Sequence, residues 1–119
     1  MKKRILIIDD EVKIARMFVR RLTKAGYDTH VSNSGSEGLK LAYELQADLI
    51  LLDIHMPDMD GYEVIRTLRS NGYRGLVSAC SASVSVRDSN MTLEAGCDYF
   101  ISKPIDLTFE ETISDLLSR

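Results

Sequence analysis

The sequence predicts an α/β fold: a doubly wound, five-stranded parallel sheet with helices on both faces. Three observations carry that prediction. Strand-like segments alternate five times with segments of helical period, the signature of βαβ units. Two of the strand segments, Ile5–Ile8 and Leu49–Leu52, are continuous apolar runs, which is how parallel strands covered on both faces read. No repeat, linker or low-complexity stretch interrupts the pattern. The 119 residues, 45% of them hydrophobic, are therefore expected to form one domain, residues 1–119, around a single core.

The elements follow in order. Ile5–Ile8 is rich in β-branched residues and ends in acid, Asp9-Asp10. Val12, Ala15, Phe18, Val19 and Leu22 are spaced for one face of a helix, with Lys13, Arg16, Arg20 and Arg21 on its other sides, and Gly26 ends it. Thr29–Val31 is short and alternating, an edge or half-exposed strand. Ser34 and Glu37 have capping-box spacing ahead of a helix carrying Leu39, Ala42 and Leu45. Leu49–Leu52 is the most apolar strand and delivers Asp53 at its end. Asp60-Gly61 is turn chemistry. Val64, Ile65 and Leu68 mark a third helix that stops near Asn71-Gly72. Leu76–Cys80 is the fourth strand. Ser81–Asn90 is rich in cap and turn formers and predicts a mobile start to helix four, whose better-formed end is Met91–Ala95 before Gly96. Tyr99–Ile101 is the fifth strand. Lys103-Pro104 follows, and Asp106 is placed to cap a last helix carrying Leu107, Ile113, Leu116 and Leu117.

Composition excludes several classes. Charged residues make up 28% and the net charge is −3, which argues against a nucleic-acid footprint, since that needs a basic face. The longest apolar run is far short of the ~20 residues that span a bilayer. The run behind the basic N-terminus is also shorter than the roughly 7–15 residues of a secretory signal. A cytoplasmic location with no membrane contact is expected. Cys80 and Cys97 have neither metal-site spacing nor a disulfide framework, and are expected to be reduced, buried thiols.

The candidate site lies at the strand ends. In open parallel α/β sheets, ligands bind outside the carboxyl ends of the strands where strand order reverses. With the order 2-1-3-4-5, strands one and three are neighbours, and Asp9, Asp10 and Asp53 converge in one crevice. Any one of these acids has a ready alternative role as a cap or turn residue. Three together repel one another, and stay charged only with a cation or with protons taken up. Oxygen-only ligands in a shallow crevice suit Mg²⁺ better than a fully caged Ca²⁺. Lys103 leaves the fifth strand at the same edge, where its amine offsets acid charge and receives an anion. A cis Lys103–Pro104 bond would aim it inward. Ser81 places a hydroxyl at the end of strand four.

These parts together resemble the receiver domain of two-component response regulators, of the single-domain chemotaxis or sporulation type, over the whole chain. The resemblance is carried by the pair Asp9-Asp10, the segment Asp53-Ile-His-Met-Pro-Asp-Met-Asp-Gly61, Ser81-Ala82 and Lys103-Pro104. It implies a flavodoxin-like fold in which Asp53 is the phosphoacceptor. It also implies a Mg²⁺ cofactor held by Asp10, Asp53 and the main-chain carbonyl of His55, with Asp9 acting through water. Lys103 would contact the phosphoryl group, and Ser81 and Phe100 would stand at the family's two switch positions. His55 and Ser83, two residues beyond Asp53 and Ser81, stand where the family tunes phosphate lifetime. The implied partners are a sensor histidine kinase or histidine phosphotransfer protein, recognised around Ile14, Ala15, Phe18 and Pro104, and a downstream protein or output domain. No direct contact with nucleic acid is expected. The expected state is a monomer or a phosphorylation-dependent dimer. The chain is expected to act as a signalling domain rather than a turnover enzyme, either alone or as the receiver of a longer hybrid kinase or multidomain regulator.

The residues fit two other classes less well. A phosphatase of the haloacid dehalogenase type would want a second aspartate where His55 stands, and a cap domain. A flavodoxin-like binding module would need a phosphate-cradling loop after strand one, where Asp9-Asp10-Glu11 repels phosphate.

Overall fold

A computed structural model of the chain describes residues 2–82 and 86–118; the side chains of residues 86–89 lie outside that description. Five strands and five helices alternate: β1 (Arg4–Ile8), α1 (Val12–Lys24), β2 (Asp28–Ser32), α2 (Gly35–Leu45), β3 (Leu49–Asp53), α3 (Gly61–Ser70), β4 (Leu76–Ser81), α4 (Val86–Ala95), β5 (Tyr99–Ser102) and α5 (Phe109–Leu117). The sheet is wholly parallel in the order β2-β1-β3-β4-β5, as the sequence predicts.

Side chains of successive strand residues leave opposite faces, and both faces are buried. Leu6, Ile8, Ile50 and Leu52 pack with Ala42, Val64, Ile65, Leu68 and Ala95 beneath α2, α3 and α4. Ile5, Ile7, Leu49 and Leu51 pack with Ala15, Phe18, Leu22 and Ile113 beneath α1 and α5. The core is thus two layers divided by the sheet, and β3 at its centre is buried along its whole length. Full burial of one Leu or Ile side chain is worth about 1.5–3 kcal/mol, so the two central strands anchor everything hung on their ends.

Helix signals read from the sequence appear with some shifts. Ser34 caps α2, its Oγ accepting from Glu37 N at 3.2 Å. Gly26 follows α1 at φ +102°, a left-handed conformation that glycine adopts without penalty. Asp60 is the N-cap of α3 itself, accepting from Tyr62 N at 2.8 Å and Glu63 N at 3.2 Å. Cys80 and Cys97 are both buried free thiols.

Helix α4 starts at Val86, within the segment Ser81–Asn90 expected to hold its start. Thr92 and Ala95, in the half expected to be better formed, are buried. Ser83 of that segment lies outside the described residues. One expectation about the last helix needs correction. Leu107 is not on α5. It lies before the helix and is 95% exposed. Asp106 spends its carboxylate on Thr108, accepting from N at 2.9 Å and Oγ1 at 2.7 Å, and so turns the chain before the helix begins. Phe109 takes the buried place instead, stacked on Phe18 with ring centroids 5.3 Å apart and Arg21 over its ring.

Candidate functional site

The register of the sheet sets where each polar side chain emerges. Ile8 lies beside Leu52, so Asp9 and Asp10, just past β1, stand next to Asp53, the last residue of β3. Asp53 in turn pairs with Cys80, and Ser81 with Ser102, which brings the ends of β4 and β5 to the same edge. Lys103 follows Ser102, and its N–H donates to the Ser81 carbonyl at 2.9 Å. The Lys103–Pro104 bond is cis.

Within this crevice the three aspartates each offer a carboxylate oxygen, and these oxygens lie within 4.8 Å of one another. Asp9 is 1% and Asp53 6% exposed. Lys103 Nζ donates to Asp9 Oδ2 at 2.7 Å and lies 3.7 Å from Asp53 Oδ1. The amine therefore pairs first with Asp9 and faces Asp53 at longer range. Asp9 Oδ1 also accepts from Glu11 N at 2.9 Å, so this acid caps a turn and belongs to the cluster at once. Asp53 Oδ1 accepts from His55 N at 3.3 Å.

Burial first, and then the neighbouring charges, set the proton affinity of the site. Burial pushes the Asp53 carboxyl up to about 7; the Lys103 charge opposes this, while Asp9 and a hydrogen bond with Asp10 add to it. Burial works against the Lys103 ammonium, but the Asp9 hydrogen bond and the charges of Asp53 and Asp9 outweigh it and hold the amine above its ordinary value. Without a cation, Asp53 is thus about half protonated near neutrality. The donor set fits a hard divalent ion, since it is all oxygen, clustered and short of positive charge.

The other predicted residues take distinct places. Ser81 is buried at the end of β4. Phe100 is half-buried on β5, packed against the cluster beneath α2, α3 and α4. The His55 side chain is exposed in the loop after β3. Ala15 and Phe18 are buried beneath α1, whereas Ile14 is half-buried and Pro104 exposed. The two thiols stay out of the chemistry, as burial pushes Cys80 up to about 12 and raises Cys97 as well.

Contacts that the sequence does not announce shape the rim. The loop between β3 and α3 is closed at its base by Gly61 N donating to Ile54 O at 2.8 Å. A Cβ on Gly61 would sit 2.6 Å from Ile54 Cα, so only glycine allows this approach. Higher in the loop, Asp58 accepts from Gly35 N at 3.1 Å and from Ser36 N and Oγ at 3.3 Å, clasping the loop to the start of α2. Asn33 Nδ2 donates to the Asp9 carbonyl at 3.0 Å and steadies the acidic turn. Only the tertiary arrangement brings Asp58 to Gly35 and Ser36, 23 and 22 residues away, and Asn33 to Asp9, 24 residues away.

Known proteins share the sequence pattern and the fold of this chain. A family model described as the response regulator receiver domain matches residues 5–112. The chain is similar to the transcriptional regulatory protein PcoR of Escherichia coli, with 40% identity over 89% of this chain and 47% of that protein. It is also similar to the DNA-binding response regulator MtrA of Mycolicibacterium paratuberculosis, with 38% identity over 87% of this chain and 46% of that protein. The chain thus spans about half the length of these relatives. Among solved structures, a CheY-like response regulator receiver domain protein from Methanospirillum hungatei superimposes with a TM-score of 0.92 at 29% identity, over 99% of this chain and 95% of that one.

Proposed function

Since the chain belongs to the response regulator receiver family, we propose that Asp53 accepts a phosphoryl group from a phosphohistidine on a kinase or phosphotransfer protein, and that the modified domain controls a downstream protein or output domain. The observation that carries this reading is the meeting of Asp9, Asp10, Asp53 and Lys103 at one sheet edge.

The chemistry asks for positioning and charge control more than covalent assistance. Mg²⁺ held by Asp10, Asp53 and the His55 carbonyl, with Asp9 behind a water, would supply charge neutralisation when bound. The chain's own residues do the rest. Lys103 sits 3.7 Å from the nucleophilic carboxylate, offsetting its charge and meeting an incoming anion. The His55 amide orients Asp53 Oδ1. An Asp53 oxygen attacks phosphorus, and the phosphorus–nitrogen bond of phosphohistidine breaks. The imidazole leaves with the bonding pair and regains a proton, leaving an acyl phosphate on Asp53. Hydrolysis reverses the state: water attacks phosphorus, the bond to the Asp53 oxygen breaks, and carboxylate and inorganic phosphate result.

Phosphorylated Asp53 carries about −1.5 to −2 charges and three strong acceptor oxygens. The Ser81 hydroxyl, at the end of the adjacent strand, turns toward one of them, and Phe100 moves inward into the space released. The face of α4, β5 and α5 then favours a second packing, a population shift between two states. The length of PcoR and MtrA beyond the matched region favours control of an output domain. No helix among the described residues is long and apolar enough to cross a membrane.

The test is intact-mass spectrometry after incubation with acetyl phosphate and Mg²⁺. One phosphate is expected on the unmodified protein and none on Asp53→Asn. Lys103→Met should still fold but take up phosphate on the order of 10²-fold more slowly, the usual cost of losing one transition-state donor. Equal uptake by all three proteins contradicts the proposal.

A further inference from the structure

We propose that the groove between α1 and the free edge of β2 docks an extended acidic segment of a partner protein, which adds to the sheet as a sixth strand. Helix α1 carries Lys13, Arg16, Arg20, Arg21 and Lys24 and no acid, in a chain of net charge −3. Arg21 is committed to Glu110 and the Asp106 carbonyl on the α5 side. Arg16 and Arg20 are exposed, and neither has an ion-pair partner among the described residues.

These two arginines rim a groove of about 460 Å³, turned away from α5. Its floor is apolar: Val12, Ala15 and Val19 from α1 and Val31 from β2. Val12 is 48% and Val31 42% exposed, so two valines lie open to water side by side. Beside them runs an edge strand. Asp28 N donates to Lys3 O and Ser32 O accepts from Asp9 N, which turns the backbone groups of Asp28, His30 and Ser32 toward β1. By alternation, the N–H and C=O of Thr29 and Val31 face outward, unclaimed by the sheet. The edge carries neither proline nor lysine, and its one acid, Asp28, lies 3.6 Å from Arg4 Nε and 3.2 Å from His30 Nε2 rather than unpaired.

Charge selects the occupant. A second copy docking edge to edge would set Arg16 and Arg20 against their own twins. A phosphate polymer would use the arginines but leave the valine floor and the backbone edge unmatched. A strand with valine-like residues over Val12, Val19 and Val31, and Glu or Asp toward the arginines, satisfies all three features. Main-chain bonds then give affinity, and the groove gives selectivity.

The probe is a capped nine-residue peptide with Glu, Val, Val and Glu at alternate positions and Ser between, titrated into ¹⁵N-labelled protein. Shifts are expected at the amides of Thr29 and Val31. The double variant Arg16→Glu, Arg20→Glu should bind at least about tenfold more weakly, while still taking up phosphate from acetyl phosphate; that control separates this proposal from the phosphoacceptor reading. Strand addition also predicts asymmetry: N-methylating one alternate set of peptide amides abolishes binding, and methylating the other set does not. Three results would each overturn the proposal. They are equal binding of a Lys-for-Glu peptide, equal binding of both methylated sets, and self-association of the protein through the Thr29–Val31 edge.

Discussion

Asp53 shows how much a single side chain owes to its neighbours. In an unfolded chain its carboxyl titrates near 4, and in the crevice burial and two further acids push it up to about 7. The folded state therefore holds a proton between these values that the unfolded state has lost. Stability from this group is complete below about pH 4 and is lost as pH rises through 7. Asn titrates nowhere, so Asp53→Asn should match the unmodified protein near pH 4. At about pH 8 without metal it should be more stable by on the order of 2 kcal/mol, allowing for partial solvent screening. Urea unfolding at the two pH values measures this, and an equal effect at both would mean that the acid is not strained. The four charged residues of the site were legible in the sequence because each follows an apolar strand. Asn33 was not, because an asparagine after a short strand reads as a turn residue until its amide is seen on the Asp9 carbonyl.

At the scale of elements, the strands and helices were legible wherever apolar period and burial agree. Leu49–Leu52 reads as a doubly covered strand and is buried on both faces. Legibility failed where a long-range contact outweighs local preference. Leu107 is apolar like Ile113 and Leu116, but it lies six and nine residues before them and off their face, whereas Phe109, four and seven residues before them, holds that face and stacks on Phe18. The loop from β3 to α3 is the clearest case. Its conformation depends on Asp58 reaching the first amides of α2, and those hydrogen bonds hold the Asp58 carboxyl below its usual range. Asp58→Ala should leave Asp53 and Lys103 in place while freeing the Gly35 and Ser36 amides. Their hydrogen exchange is expected to speed up roughly tenfold or more, against little change in β3. Unchanged exchange at both amides would show that Met56 and Met59, packed into the core, hold the loop unaided.

For the molecule as a whole, the sheet acts as a rigid frame that forces three acids together, leaving them a choice between a proton and a cation. Metal binding must then displace the Asp53 proton wherever it is present. Below pH 7, Mg²⁺ affinity should fall about tenfold per pH unit, with close to one proton released per ion. Calorimetric titration in two buffers of different ionisation enthalpy counts that proton, and no release at about pH 6 would contradict the account. The sequence shows that the acids need a cation or a proton, but not the depth of burial that places the proton on Asp53. The central claim is that this frame makes one particular carboxylate accept phosphorus. Reduction of the acetyl-phosphate-treated protein with borohydride converts an aspartyl phosphate to homoserine, which peptide sequencing locates. Homoserine at position 53 alone is the predicted result; homoserine at position 9 or 10 instead, or none anywhere, would contradict it.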